Sequence, residues 1–278
     1  MITFDSLTAT LSKKALLSVN EIAAPLSAFA SDFSDEAADY LDTVKVPVFT
    51  AGDANDFSHT DGYQLEGTGT VVAVALDKRY STGFPFSDQA FARLSETAVL
   101  KLAEGSARKL GKKMWAAIET AAAGAGSVTN ALASYANLAS LKAAATAKGL
   151  EGDLVLAATP ATYDALCADE TIAKIAASLG DDAPFKRGVL PDICGIRIVR
   201  APISANYIAE SDALAFATRT TPLSEEDNAA LITDTATGMT LVSKVIRDKM
   251  HASVNVVFEV LFGVALAKSA SVYKVAAE

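Results

Sequence analysis

The sequence predicts an α+β protein of two lobes, with an α/β unit inserted between a long helix and a terminal sheet. Three observations carry this reading. A proline-free run over 88–122 repeats its apolar residues every 3.6 positions, the period of an amphipathic helix. Over 128–235, short apolar strands are interleaved with helix-start signals. Over 239–276 the pattern returns to the alternation of strands.

In chain order, residues 1–40 read as an arm. Phe4, Leu7, Leu11, Ile22 and Leu26 are scattered among small and polar residues, and the pairs Leu7/Leu11 and Ile22/Leu26 fit short amphipathic helices. Pro25 and the Ser/Asp run at 31–35 interrupt any longer helix. So little apolar surface cannot fold alone, and the arm must lie on its own body or on a neighbour. From 44 onward, Val44, Val46 and Val48 alternate with Lys45 and Pro47, which predicts an edge strand. A Gly/Asp-rich stretch over 52–69 leads to an apolar strand over 71–76. Alternation then resumes at Tyr80, Thr82, Phe84 and Phe86, on one strand face. The whole predicts a long two-stranded arm, marginal unless packed on another surface.

The long helix has Phe91, Leu94, Ala98, Leu102, Ala107, Leu110, Met114 and Ile118 in phase. Glu104 and Arg108 form an i,i+4 pair with the acid first. In the inserted unit, 136–148 predicts a helix ended by Gly149, and 153–158 an apolar strand. Thr159-Pro160 then starts a helix as N-cap and first-turn proline, followed by a short helix near 170–179. Strands follow near 193–199 and 214–218, then over 239–247, 254–262 and 271–275.

Composition narrows the function. The 278 residues are 51% hydrophobic, which excludes a disordered chain, though much of that fraction is alanine, which buries little area. A net charge of -9 argues against a basic nucleic-acid coat, but leaves room for one locally basic face. Apolar runs reach about eight residues, short of the ~20 that span a bilayer, and no secretory leader is expected from the first residues. Two cysteines, Cys167 and Cys194, make no disulfide framework and fit buried thiols.

Catalytic signals are sparse. His59 and His251 have no metal-ligand or nucleophile spacing with either cysteine. Gly67-Thr68-Gly69-Thr70 precedes a strand, where a phosphate-binding loop must precede a helix. Asp53, Asp56, Asp61 and Glu66 follow no calcium-loop spacing and read as a solvated loop. The notable feature on an acidic chain is a basic stretch of the long helix, Lys101, Arg108, Lys109, Lys112 and Lys113. It could meet acids on an adjacent subunit or nucleic acid, or be an ordinary solvated face. No catalytic, cofactor or metal residue is assigned, and no enzyme activity is expected.

The order of elements resembles the major capsid proteins of tailed bacteriophages, with their HK97 fold. Residues 74–88 look like that family's return strand running into its spine helix. Pro160, Tyr163 and Leu166 resemble a Pro-x-x-Tyr-x-x-Leu helix after an apolar strand. Gly188, Leu190, Ile193, Gly195, Ile196 and Ile198 resemble a second family stretch. The resemblance implies an HK97-like α+β fold: an N-terminal arm at 1–43, an extended loop at 44–86 and a spine helix at 87–127. An axial domain at 128–235 and a return to the peripheral domain at 236–278 complete it. It further implies hexamers and pentamers of many copies forming an icosahedral shell around double-stranded DNA, located in the virion and assembled in the host cytoplasm. A portal protein, a separate scaffolding protein and a decoration or cement protein would be partners, with weak inner-surface contacts to DNA and none to a membrane. Contacts between subunits are then expected from Phe57, Tyr63 and Leu65 of the loop and from Phe4, Leu7 and Leu11 of the arm. The segment 52–69 has no lysine, so a covalently crosslinked shell is not expected. An encapsulin-like compartment shell is the nearest alternative, and a small enzyme with an inserted α/β domain the more distant one.

Overall fold

The computed structural model describes residues 25–34, 43–50, 67–87, 89, 93, 96–150, 152–178, 189–221, 228–233, 240–248 and 250–276. After a helical turn at 25–29 come β1 (Ser31–Asp32), β2 (Thr43–Thr50), β3 (Thr68–Ala75) and β4 (Lys78–Ser87), then helix α1 (Glu96–Ala121). The second stretch holds β5 (Gly126–Thr129), α2 (Tyr135–Ala147), β6 (Leu154–Ala158), α3 (Pro160–Ala168) and α4 (Glu170–Ser178). It continues through β7 (Val189–Ile193), β8 (Ile196–Arg200) and β9 (Asn206–Glu210). The chain then runs through β10 (Leu214–Arg219), β11 (Asn228–Thr233), β12 (Thr240–Asp248), β13 (Ser253–Leu266) and β14 (Val272–Ala276).

Two six-stranded sheets and one hairpin result. The first sheet has the order β1-β10-β13-β12-β11, with β4 antiparallel on the other edge of β13. The second has the order β5-β14-β9-β6-β8-β7, mixed parallel and antiparallel. The hairpin β2–β3 stands apart as its own ladder, from Thr43 opposite Ala75 to Thr50 opposite Thr68.

Helix α1 is about 39 Å long at 1.5 Å per residue. Its buried stripe, Ala103, Ala107, Leu110, Met114, Trp115 and Ile118, follows the predicted period. It packs on the face of the first sheet that carries Val254, Val256, Phe258, Val260 and Phe262. The same cluster continues beneath Val155, Ala157, Tyr207 and Ala209 of the second sheet, so one core joins the two lobes. Trp115 is its largest member, its ring 6.0 Å from that of Phe29 in the helical turn. The opposite face of the second sheet packs on α2, α3 and α4 through Leu138, Leu141, Tyr163, Leu166 and Ile172. Strand β6 (LVLAA) is therefore buried on both faces, as a central strand must be.

Local signals fix the helix ends. Ser134 accepts from the Asn137 N–H at 3.4 Å to start α2, and Gly149 takes φ +88° just after it. Thr159 accepts from the Thr162 N–H at 3.3 Å to start α3, with Pro160 in its first turn. Asp169 accepts from Thr171 and Ile172 to start α4.

Three arrangements differ from expectation. Strand β4 does not belong to the two-stranded arm but pairs with β13 along its whole length. Strands β10 and β11, expected in the inserted unit, lie in the first sheet, while β14, expected with β12 and β13, lies in the second. Cys194 does not open a strand: with φ 55° it sits in the tight turn between β7 and β8, beside Gly195. Both cysteines are half-buried rather than fully enclosed. Periodicity marks strands but not their partners, and each of these pairings joins residues distant in sequence.

Candidate assembly interface

Helix α1 turns its apolar stripe to the sheet, which leaves a polar flank along strand β4. No strand pairs with the outer edge of β4 among the described residues. Between that edge and the helix runs an open groove of about 660 Å³. Lys109, Lys112 and Lys113 line it from the helix and Arg79 from the strand. Tyr80, Leu110 and Ala116 give it apolar surface, and Ser81 and Thr82 add hydroxyls. Burial raises the pKa of the Tyr80 phenol, a shift that nearby Lys78 opposes, so the hydroxyl stays protonated and able to donate.

Behind this edge lies a buried ionic cluster. Glu259, on the face of β13 away from the helix, has a side chain only 4% exposed. It pairs with the Arg79 Nε, accepts from Lys244 Nζ at 3.3 Å and from the Thr221 hydroxyl at 3.2 Å. Lys244 is itself 8% exposed. Each buried charge thus has an opposite charge within reach, the condition under which such groups are tolerated. The cluster ties β4, β12 and β13 together on the face of the sheet away from the helix.

The basic residues singled out in the sequence separate into distinct settings. Lys109, Lys112 and Lys113 share the groove. Arg108 pairs with Glu104 at 2.7 Å in the expected i,i+4 geometry, and Lys101 is exposed nearer the helix start. Sequence reasoning missed Arg79 and Glu259. The available signal for Glu259 was an acid inside the apolar run 254–262, where only a paired carboxylate fits.

The hairpin offers a second exposed surface. Val44, Val46, Val48 and Val74 bury one face against Ala215, Ala217 and Leu261 on the first sheet, opposite the helix. The outer face carries Pro47 opposite Val71, and Phe49 opposite Gly69. Phe49 is 75% and Val71 66% exposed, and the Phe49 ring lies where a Cβ on Gly69 would come within 3.3 Å of it. Adjoining exposed apolar residues of this kind mark interaction surfaces. Phe4, Leu7 and Leu11 of the arm, and Phe57, Tyr63 and Leu65 of the loop, lie outside the described residues.

Little else resembles a reactive site. Among the described residues, no group of three or more His, Cys, Asp and Glu side chains is placed to hold a metal. Burial raises the pKa values of Tyr163 and Cys167, a direction opposite to nucleophile activation. His251 Nδ1 meets Asp248 at 2.6 Å in an exposed turn, and that hydrogen bond lowers the Asp248 pKa. No described helix is long and apolar enough to cross a membrane.

The capsid of Ralstonia phage GP4 matches with a TM-score of 0.57 at 11% identity, over 90% of this chain and 89% of that one. The capsid structure of the cyanophage P-SCSP1u matches with 0.54 at 14% identity, over 91% and 88%. A virus-like particle from Pyrococcus furiosus matches with 0.53 at 11% identity, over 97% and 99%. No protein-family model and no curated sequence matches the chain. The chain therefore has the fold of tailed-phage capsid subunits, an HK97-like α+β fold with a long helix and mixed sheets. The resemblance first seen in the order of its sequence elements extends over nearly its whole length.

Proposed function

We propose that the chain is a major capsid protein, assembling from many copies of itself into an icosahedral shell around the double-stranded DNA of a tailed phage. The observation that carries the reading is coverage. The match to phage capsid chains takes in about nine-tenths of this chain and of each of those chains. An open basic groove and an uncovered apolar hairpin face support it, since a subunit that buries surface between copies needs such faces. In this reading the hairpin within 44–86 serves as the extended loop and 87–127 as the spine helix, while the second sheet with α2, α3 and α4, within 128–235 and joined by β14, serves as the axial domain. The part of the arm 1–43 that precedes the helical turn at 25–29 reaches a neighbour, and the first sheet, with β10 to β13, completes the peripheral domain. The role is structural, with no chemical turnover. Portal, scaffolding and decoration proteins, virion location and assembly in the host cytoplasm follow from the same reading.

A second reading is a compartment shell that encloses proteins instead of a genome. The match to the virus-like particle, over almost all of both chains, fits a shell of either kind. Negative-stain microscopy and sedimentation of purified protein, with and without a co-expressed scaffold, test both. Shells or capsomer rings are expected, and monomers alone in both preparations would overturn the shell. Nuclease-protected DNA inside particles recovered from infected cells supports the phage reading, and enclosed protein cargo the compartment. Deleting residues 52–69 should leave a folded subunit that forms no closed shell.

A further inference from the structure

We propose that the outward face of helix α1 is a cationic ridge that binds the phosphate backbone of double-stranded DNA without regard to base sequence. The proposal rests on the phage-capsid reading and says where on the subunit the genome would be held.

The ridge is defined by what the helix leaves exposed. Among the described side chains of 101–116, every exposed residue is lysine, arginine, glycine or alanine. Five carry positive charge: Lys101, Arg108, Lys109, Lys112 and Lys113. At 3.6 residues per turn they centre on the side opposite the buried stripe of Ala103, Leu110 and Met114. Lys101 and Lys113 lie about 18 Å apart along the axis at 1.5 Å per residue. The uncharged positions on this face are small, and a Cβ on Gly105 would meet nothing within 4 Å. Nothing bulky therefore stands between the ammonium groups and an approaching surface. One acid, Glu104, borders the ridge and pairs with Arg108 at 2.7 Å. Lys101, Lys109, Lys112 and Lys113 make no ion pair among the described residues. Lys109 stands at i,i+3 and i,i+4 from Lys112 and Lys113, spacings at which like charges weaken a helix, so a bound polyanion relieves a standing repulsion. All this lies on a chain whose net charge is -9.

The chemistry selects phosphate over a protein surface. Protein interfaces are depleted in lysine and anchored by aromatic and arginine side chains. The ridge is rich in lysine, exposes no aromatic or large aliphatic residue among its described members, and has its one arginine already engaged. A carboxylate is best met by a bidentate guanidinium, whereas a row of ammonium charges suits a repeating backbone with one phosphate per about 3.4 Å of axis on each strand. Along its flank, the groove beside β4 adds neutral donors that phosphate oxygens accept: the hydroxyls of Ser81 and Thr82 and the protonated phenol of Tyr80. Position agrees with chemistry. The hairpin with its exposed Phe49 and Val71 packs on the opposite face of the first sheet. The subunit thus shows an apolar surface to one side and a cationic one to the other, the polarity of a wall that meets protein on one face and nucleic acid on the other.

The test is the salt dependence of binding. Unassembled subunits isolated by gel filtration are titrated against a labelled duplex of about 20 base pairs, with anisotropy followed from about 25 to about 100 mM salt. Four phosphate contacts, one for each unpaired lysine, give a slope of about −3.6 in log affinity against log salt, a fall of about 150-fold over that range. In K109A/K112A/K113A one contact remains, the slope drops to about −0.9 and the fall is only about 3.5-fold. Alanine is a strong helix former, so the circular dichroism of this variant should match the wild type. The control K142A/K148A/K274A removes the same charge from exposed lysines elsewhere and should keep the wild-type slope. Two duplexes of unrelated sequence should bind alike.

No binding at the lowest salt, or a slope unchanged in K109A/K112A/K113A, overturns the ridge. An equal loss in the control also overturns it, because net charge is then the cause. So does ridge-dependent binding of a labelled peptide of residues 51–66, with its four acids and no lysine or arginine, where the duplex does not bind, since the face then belongs to a protein partner. None of these measurements needs a closed shell. Ridge binding by a chain that forms no particles keeps the ridge and counts against the shell, and normal shells built from subunits that do not bind the duplex sink the ridge alone.

Discussion

Replacing Glu259 with glutamine tests how the edge strand of the first sheet is held. The substitution keeps the shape and removes the charge. Arg79, 52% exposed, can turn into solvent at little cost, but Lys244, 8% exposed, cannot. Breaking a buried pair by removing one partner costs about 3–5 kcal/mol, because the other charge stays buried and uncompensated. At roughly 2–4 °C per kcal/mol for a chain of this size, the melting temperature of E259Q should fall by about 6–20 °C. K244M should cost less, since Glu259 keeps Arg79 and the Thr221 hydroxyl. The double variant E259Q/K244M should recover most of the loss, because it leaves no buried charge unpaired. Thermal melts followed by circular dichroism, with denaturant midpoints as a second measure, give all three values. An E259Q melt within about 2 °C of wild type would refute the reasoning, as would a double variant less stable than E259Q.

Three further outcomes are expected. W115A should lose about 3–5 kcal/mol, since Trp115 is fully enclosed where helix, sheet and the Phe29 turn meet; denaturant unfolding checks it. G263V should loosen the base of the hairpin, because a Cβ at 263 would lie 2.5 Å from the Ala75 carbonyl oxygen. Overpacking of this kind costs roughly 1–3 kcal/mol, and faster hydrogen exchange at 44–48 and 74–76 should report it. Burial raises the Cys167 pKa, so its contribution to stability is complete below the unfolded thiol's value of about 8.5 and is lost as pH rises through the folded value. Alkylation of Cys167 at pH 8 should accordingly be slower in the folded chain than in urea.

Much of the fold was legible because it rests on local patterns. The period of 103–118 placed the helix and its buried face, and Thr159-Pro160 and Gly149 marked real helix ends. The alternation of Val44, Val46 and Val48 with Lys45 and Pro47 gave a half-buried edge strand. What stayed hidden was pairing across long stretches of chain. Nothing near Tyr80 announces that β4 will lie along β13, and nothing near Val272 announces that β14 will leave the company of β12 and β13. The basic groove was half visible for the same reason. Lys109, Lys112 and Lys113 lie close together on one helix and can be grouped by spacing. Tyr80 meets them only after a strand has been laid beside the helix, and Glu259 becomes the partner of Arg79 only through the register that sets it opposite Ser81.

The second sheet borrows its β14 from the far end of the chain, and this has a mechanical consequence. The backbone passes between the sheets at three places: from α1 into β5, from β9 into β10, and from β13 into β14. A body joined by three separate tethers resists twisting in a way that a single hinge does not, and cutting any one leaves two intact. A protease that nicks the turn at 211–213 should thus leave both lobes attached and aligned. In the proposed shell, the angular freedom of a curved lattice would then come from the seams between copies more than from the link between the two sheets.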